Sequence, residues 1–133
     1  MQRENTSLPM KSEENLQIAI SSYLKYQYPD VIFTSESSGI RLTIGQATKA
    51  KKQRSKHKLP DMIILYANLP YFAGICFELK KESPFLKDGS LSKSKHIQEQ
   101  NKTLELLESK GYISMFIWKF EQAKTIIDKY LNF

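Results

Sequence analysis

Three residues of this chain have the types and spacing to do chemistry together. Asp61 stands near the start of one apolar run, Leu59-Pro60-Asp61-Met62-Ile63-Ile64-Leu65, and Glu78 and Lys80 close another, Ile75-Cys76-Phe77-Glu78-Leu79-Lys80. A buried strand has no ordinary reason to hold a carboxylate and an ammonium two residues apart. Strand alternation puts Gly74, Cys76, Glu78 and Lys80 on one face and Ile75, Phe77 and Leu79 on the other, with the Glu78 and Lys80 Cα atoms roughly 7 Å apart. If the two runs pair as a hairpin, Asp61 lies beside Glu78. Two adjacent carboxylates form an oxygen-rich site that suits Mg²⁺, with Mn²⁺ as a substitute, and the Leu79 carbonyl could add another oxygen. Such a cation acidifies water and offsets charge on a phosphate. Lys80 could orient or deprotonate that water, or neutralise charge developing on the phosphate. The competing role is a strand-end ion pair of Glu78 with Lys80 or Lys81, a common and weak device. Asp61, upstream on the partner strand, weighs towards chemistry.

Hydrophobic periodicity supplies the elements that must position these groups. Residues 1–11 read as a flexible tail. A helix over residues 11–28 has Ser12 as N-cap, Glu13 and Glu14 in the first turn, and Leu16, Ala19, Ile20, Tyr23 and Leu24 as its apolar stripe. Pro29-Asp30 ends it, and residues 31–34 form a short strand. A turn at Ser37-Ser38-Gly39 leads to a basic helix over residues 43–54. Residues 62–66 and 71–80 read as the two buried strands, joined through Asn68-Leu69-Pro70. Residues 83–95 form a loop. A helix over 96–110 stopped by Gly111, a strand over 112–118 and a helix over 121–131 complete the order. The strand–helix–strand unit at the end predicts parallel strands with a right-handed crossover. The expected fold is α/β: one domain over residues 1–133, a small mixed β-sheet of about four strands flanked by helices.

The composition of the 133 residues, 41% hydrophobic and 26% charged, is that of an ordinary globular domain. There is no run of about 18 apolar residues, so no membrane span is expected. The polar start, Met1-Gln2-Arg3-Glu4-Asn5-Thr6, lacks the apolar core of a signal peptide. Cys76, the single cysteine, can form neither an intramolecular disulfide nor a zinc site by itself, which fits a reducing, intracellular location. The net charge of +6 is uneven. Between Glu36 and Asp61 there is no acid, while Arg41, Lys49, Lys51, Lys52, Arg54, Lys56 and Lys58 fall there with His57. Such a tract favours a polyanion through counterion release, and these seven residues are the candidate nucleic-acid contacts. Nothing in the sequence asks for a small-molecule cofactor.

Gln100 falls on the stripe that Ile97, Leu104 and Leu107 mark on the helix over 96–110. A buried amide must be hydrogen-bonded, either to backbone or to groups at the strand-end site. Glu13 or Glu14 could bring a further carboxylate to that site, and periodicity does not choose between them. His57 reads as part of the basic tract and His96 as a helix-start residue.

These residues, taken in order, resemble the VRR-NUC branch of the PD-(D/E)xK nuclease superfamily in its small stand-alone, phage-type form. The resemblance covers about residues 13–131. It rests on Glu14-Asn15-Leu16-Gln17, on Ser38-Gly39 with Arg41, on the basic helix, on Leu59-Pro60-Asp61, on Phe77-Glu78-Leu79-Lys80, and on Gln100 eleven residues before Gly111. It implies a restriction-endonuclease-like core and a Mg²⁺-dependent DNA endonuclease. It further implies Asp61 and Glu78 as metal ligands, Lys80 as the catalytic lysine, Gln100 as an accessory residue and Glu14 as the first-helix acid. Stand-alone members resemble Holliday-junction resolvases, so the resemblance also implies branched DNA as substrate, a homodimer and a cytoplasmic location in a phage-infected or bacterial cell. The chain departs from the pattern where Lys58-Leu59 precede Pro60-Asp61 in place of a nearby Gly, and where Ser38 stands for an Asn. Its loop over 83–95 is longer than usual and carries Lys87, Lys93 and Lys95. The alternative is a non-catalytic DNA-binding protein on a nuclease-like scaffold.

Overall fold

The computed structural model describes residues 12–35, 43–53 and 55–132; the expected tail, the turn at 37–39, and Arg41 and Arg54 lie outside them. Helix α1 (Glu13–Gln27) starts where Ser12, in extended backbone, accepts from the Asn15 N–H at 3.1 Å. There follow β1 (Phe33–Ser35), α2 (Ile44–Gln53), β2 (Met62–Ile64), β3 (Gly74–Leu79), α3 (Lys95–Ser109), β4 (Tyr112–Ile117) and α4 (Phe120–Leu131). The element order agrees with the periodicity. The strands are shorter than the apolar runs, because Leu65 and Tyr66 turn outwards and are exposed, and Phe72 makes only an isolated bridge to Asn68.

The strands lie in the order β1-β2-β3-β4. The β1–β2 and β2–β3 pairs are antiparallel and β3–β4 is parallel, which gives a mixed sheet. Gly74 starts β3 where the two backbones come close: a Cβ there would sit 2.7 Å from the Ile64 carbonyl oxygen. Alternation along β3 then divides its side chains between two faces. Ile75, Phe77 and Leu79 enter the core with Leu16, Ile20 and Leu24 of α1 and Ile127 and Tyr130 of α4. Burying each such aliphatic or aromatic side chain contributes roughly 1.5–3 kcal/mol. Glu78 faces α3 instead, where Gln100 meets it. The sheet is therefore sandwiched, with α1 and α4 on one face and α3 on the other, a restriction-endonuclease-like core.

Helix α3 covers its face of the sheet without a second described helix beside it. Of its expected buried stripe only Leu104 is buried, and Ile97 and Leu107 stay half-exposed. Gly111, at φ +100°, lets the chain leave the helix and enter β4. Burial in β3 pushes the Cys76 thiol pKa up, which disfavours the nucleophilic thiolate. Among the described residues no helix is long and apolar enough to cross a membrane.

A polar clamp joins α1 to α4. The hydroxyls of Tyr23 and Tyr28 donate to Asp128 Oδ1 at 2.6 and 2.7 Å, and Lys124 Nζ donates to Oδ2 at 3.0 Å. Burial alone would raise the Asp128 pKa, but the bonds from Tyr23, Tyr28 and Lys124 outweigh it and hold the carboxyl below its ordinary value. Its contribution to stability is thus present above the unfolded carboxylate value and fades as pH falls through the native one. Asp128→Ala removes the acceptor that both hydroxyls use, leaving Tyr28 the bond it accepts from Asn132 Nδ2 at 3.1 Å, and is expected to cost about 1–3 kcal/mol at neutral pH. Urea denaturation measures the loss, which should shrink in a Tyr23→Phe background because the two residues share one bond.

Candidate active site

Register builds the site. Met62 of β2 lies opposite Phe77 of β3. One step further along this antiparallel pair sets Asp61 opposite Glu78, just past the end of the ladder. Both carboxyl groups are buried, with Asp61 6% and Glu78 8% exposed. The Leu79 N–H donates to Asp61 Oδ2 at 2.8 Å. The N–H and C=O of one strand residue project to the same side, so the Leu79 carbonyl is directed to that edge too.

From Asp61 a run of hydrogen bonds leads across the sheet end. Glu78 is hydrogen-bonded to Asp61. Gln100 Nε2 donates to Glu78 Oε2 at 3.0 Å, and Lys80 Nζ donates to Gln100 Oε1 at 2.9 Å. Lys80 therefore spends a proton on Gln100, which stands between it and Glu78, rather than forming the simple strand-end ion pair. The two contacts also orient the amide, since only its oxygen can accept from an ammonium. Burial, and then the hydrogen bond and charge of Asp61, push the Glu78 pKa up to about 9, against the opposing pull of Lys80 and Lys58. At neutral pH Glu78 accordingly keeps its proton, as an acid buried beside another carboxyl does.

Gln17, not foreseen as a site residue, is buried beneath Asp61. Its Nε2 donates to Ser35 Oγ at 2.6 Å and to the Asp61 carbonyl oxygen at 3.4 Å, tying α1, β1 and the start of β2 together. A signal existed: Gln17, Ile20 and Leu24 share the buried stripe of α1, the same pattern that singled out Gln100. One turn before Gln17, Glu13 lines a cavity of about 380 Å³ with Lys80 and Lys81. Glu14, the acid that the resemblance implies, is exposed. Successive helical residues point about 100° apart, so the two acids cannot face the same way.

The basic tract divides. Lys49, Lys51 and Lys52 are exposed on or about α2, whereas Lys56 and Lys58 line a cavity of about 460 Å³ together with Glu78 and Gln100. His57 and His96 also line it, although they lie 39 residues apart in the sequence. For His96 the signal was its place four residues before Gln100, on the same helical face. For His57 there was none.

The donor set fits a hard divalent cation. Among the described residues no three His, Cys, Asp or Glu side chains converge, so a closed cage for zinc or calcium is not formed there. A carboxyl pair beside a strand carbonyl suits an ion that takes few protein ligands and keeps much of its water, as Mg²⁺ does. Asp61, Glu78 and the Leu79 carbonyl would hold it, and the proton on Glu78 would leave as it binds.

No family model matches the sequence, and no curated protein matches it. A solved structure described as a VRR_NUC domain protein superposes over 94% of this chain and 92% of its own, with a TM-score of 0.64 and 19% identity. The chain has a VRR_NUC fold. The likeness extends over nearly the whole of both chains.

Proposed function

We propose that this chain is a VRR-NUC family member and a Mg²⁺-dependent endonuclease that hydrolyses DNA phosphodiester bonds, preferring branched DNA such as four-way junctions and acting as a homodimer. The observation that carries the reading is the run Lys80–Gln100–Glu78–Asp61, buried at Asp61 and open at Glu78 and Gln100 to a cavity walled by lysines. Asp61, Glu78 and the Leu79 carbonyl would hold the cation, which when bound supplies positive charge to phosphate oxygens and acidifies water. Gln100 holds the Glu78 carboxylate and the Lys80 ammonium in fixed positions. Lys80, half-buried and steered by that amide, positions the attacking water and offsets charge on the phosphate. The exposed lysines of α2 and the loop after it draw in the polyanion.

The test incubates the protein with linear duplex, single strand, flap and four-way junction DNA in Mg²⁺, Mn²⁺ or EDTA. Cleavage of the junction with a divalent ion, and none in EDTA, is the expected pattern. Binding without cleavage under every condition overturns the reading. Within the same assay Glu13→Gln is expected to lower cleavage by about 10-fold or more, since the carboxylate shares a cavity with Lys80, while Glu14→Gln stays within about twofold of wild type. The reverse order would assign the first-helix acid to Glu14.

A further inference from the structure

The cavity that opens on Glu78 and Gln100 has two walls from distant parts of the chain. One is the loop before β2, with Lys56, His57 and Lys58. The other is α3, with His96, Lys102 and Thr103 beside Gln100. The helical wall was not part of the basic tract, and its residues take no part in the hydrogen-bonded run at Glu78. We propose that this cavity is a phosphate subsite: it takes a backbone phosphate next to the one being cleaved, so that the DNA strand passes between the loop and α3. This rests on the nuclease reading for the place of the cleaved phosphate, and adds which neighbouring surface the strand follows.

Size and chemistry both point to a backbone segment. At about 460 Å³ the space exceeds what an ion needs and suits a phosphate with its sugar. Three lysines, two imidazoles and a threonine hydroxyl all can donate to phosphate oxygens, from opposite sides. The carboxylate of Glu99 also lies in the lining and works against an anion, but three ammonium groups outnumber Glu99 and Glu78. Lys58 and Glu78 line the same cavity, which sets the loop wall beside the carboxyl pair. A phosphate there would be neighbour to the catalytic groups rather than remote from them. The cavity is continuous with Gln100, so occupation of the subsite sets the register of the strand on Glu78.

Fluorescein-labelled four-way junction and linear duplex, titrated in EDTA against wild type, Lys102→Ala, Lys102→Arg and the His96→Ala/Lys102→Ala double variant, test this without any metal. Loss of one phosphate contact is expected to weaken binding about 8-fold at 0.1 M salt and to reduce the slope of log K against log[salt] by about 0.9. Lys102→Arg should restore most of both. In Mg²⁺ the same substitutions should raise KM and leave kcat within about threefold at saturating DNA. Unchanged affinity and slope in Lys102→Ala and in the double variant overturn the subsite, and so does a loss of kcat with KM unchanged. The two readings fail separately. Binding that depends on Lys102 with no cleavage by wild type sinks the nuclease and keeps a phosphate contact at this cavity; variants that cleave normally without Lys102 and His96 sink the subsite and keep the nuclease. Matching melting temperatures across the variants exclude misfolding, which exposed residues on α3 are not expected to cause.

Discussion

Asp61→Asn is expected to lower Mg²⁺-dependent cleavage of branched DNA by about a thousand-fold or more, the several kcal/mol that a bound cation contributes to phosphoryl chemistry. Asparagine is the informative replacement. Its amide oxygen can still accept from the Leu79 N–H, the bond that Asp61 makes at 2.8 Å, so the start of β2 stays in place. Its charge is gone, and with it half of the carboxyl pair. DNA affinity in EDTA should be unchanged or slightly higher, because a negative charge has been removed near the lysines. Undiminished cleavage by this variant would remove Asp61 from the site. Asp61→Ala is a poorer probe, because it also leaves the buried Leu79 N–H without an acceptor, at about 1–3 kcal/mol.

Glu78→Gln is expected to stabilise the metal-free protein and to abolish its stabilisation by metal. The native Glu78 pKa, raised from 4.5 to about 9, means that the folded state keeps a proton which the unfolded chain gives up. Stability from this group is fully present below pH 4.5 and is lost as pH rises towards 9. Glutamine is neutral throughout. It keeps an oxygen for Gln100 Nε2 and offers an N–H to Asp61, as the protonated acid does. At pH 7.5 in EDTA the variant should therefore be more stable by roughly 2–4 kcal/mol, with the gap closing near the unfolded carboxyl value. With Mn²⁺ at a hundred times its dissociation constant, wild type should gain about 2.7 kcal/mol and the variant little. Wild-type metal affinity should rise with pH, because binding expels the Glu78 proton. Thermal melts in EDTA and in Mn²⁺ from pH 4.5 to 9 read all of this. A variant that is no more stable than wild type across that range would show that Glu78 is not held protonated.

Much of the site was legible because local rules reach that far. The period of two along β3 put Glu78 and Lys80 on one face. The short link from β2 to β3 allowed only an antiparallel pair, and that pair brought Asp61 to Glu78. Gln100 could be flagged because a polar residue on an apolar helical stripe has to find a partner, and it found two. The same rule would have found Gln17. Its partners, Ser35 and the Asp61 carbonyl, come from elements distant in the chain.

The sequence by itself determined the order of the elements, the antiparallel meeting of Asp61 with Glu78, the face that Lys80 shares, and the excess of cations near the acids. These follow from backbone geometry and from neighbours close along the chain. Only the tertiary structure decided that Glu13 rather than Glu14 looks into the cavity at Lys80, because that depends on how α1 is rotated where it docks on the sheet. It alone brought His57 and His96 to one cavity, from a loop and a helix on opposite sides of β2 and β3 in the chain. It alone pushes the Glu78 pKa up, for a carboxyl titrates according to the water and charges around it, and packing against α3 and Asp61 removes the one and sets the other.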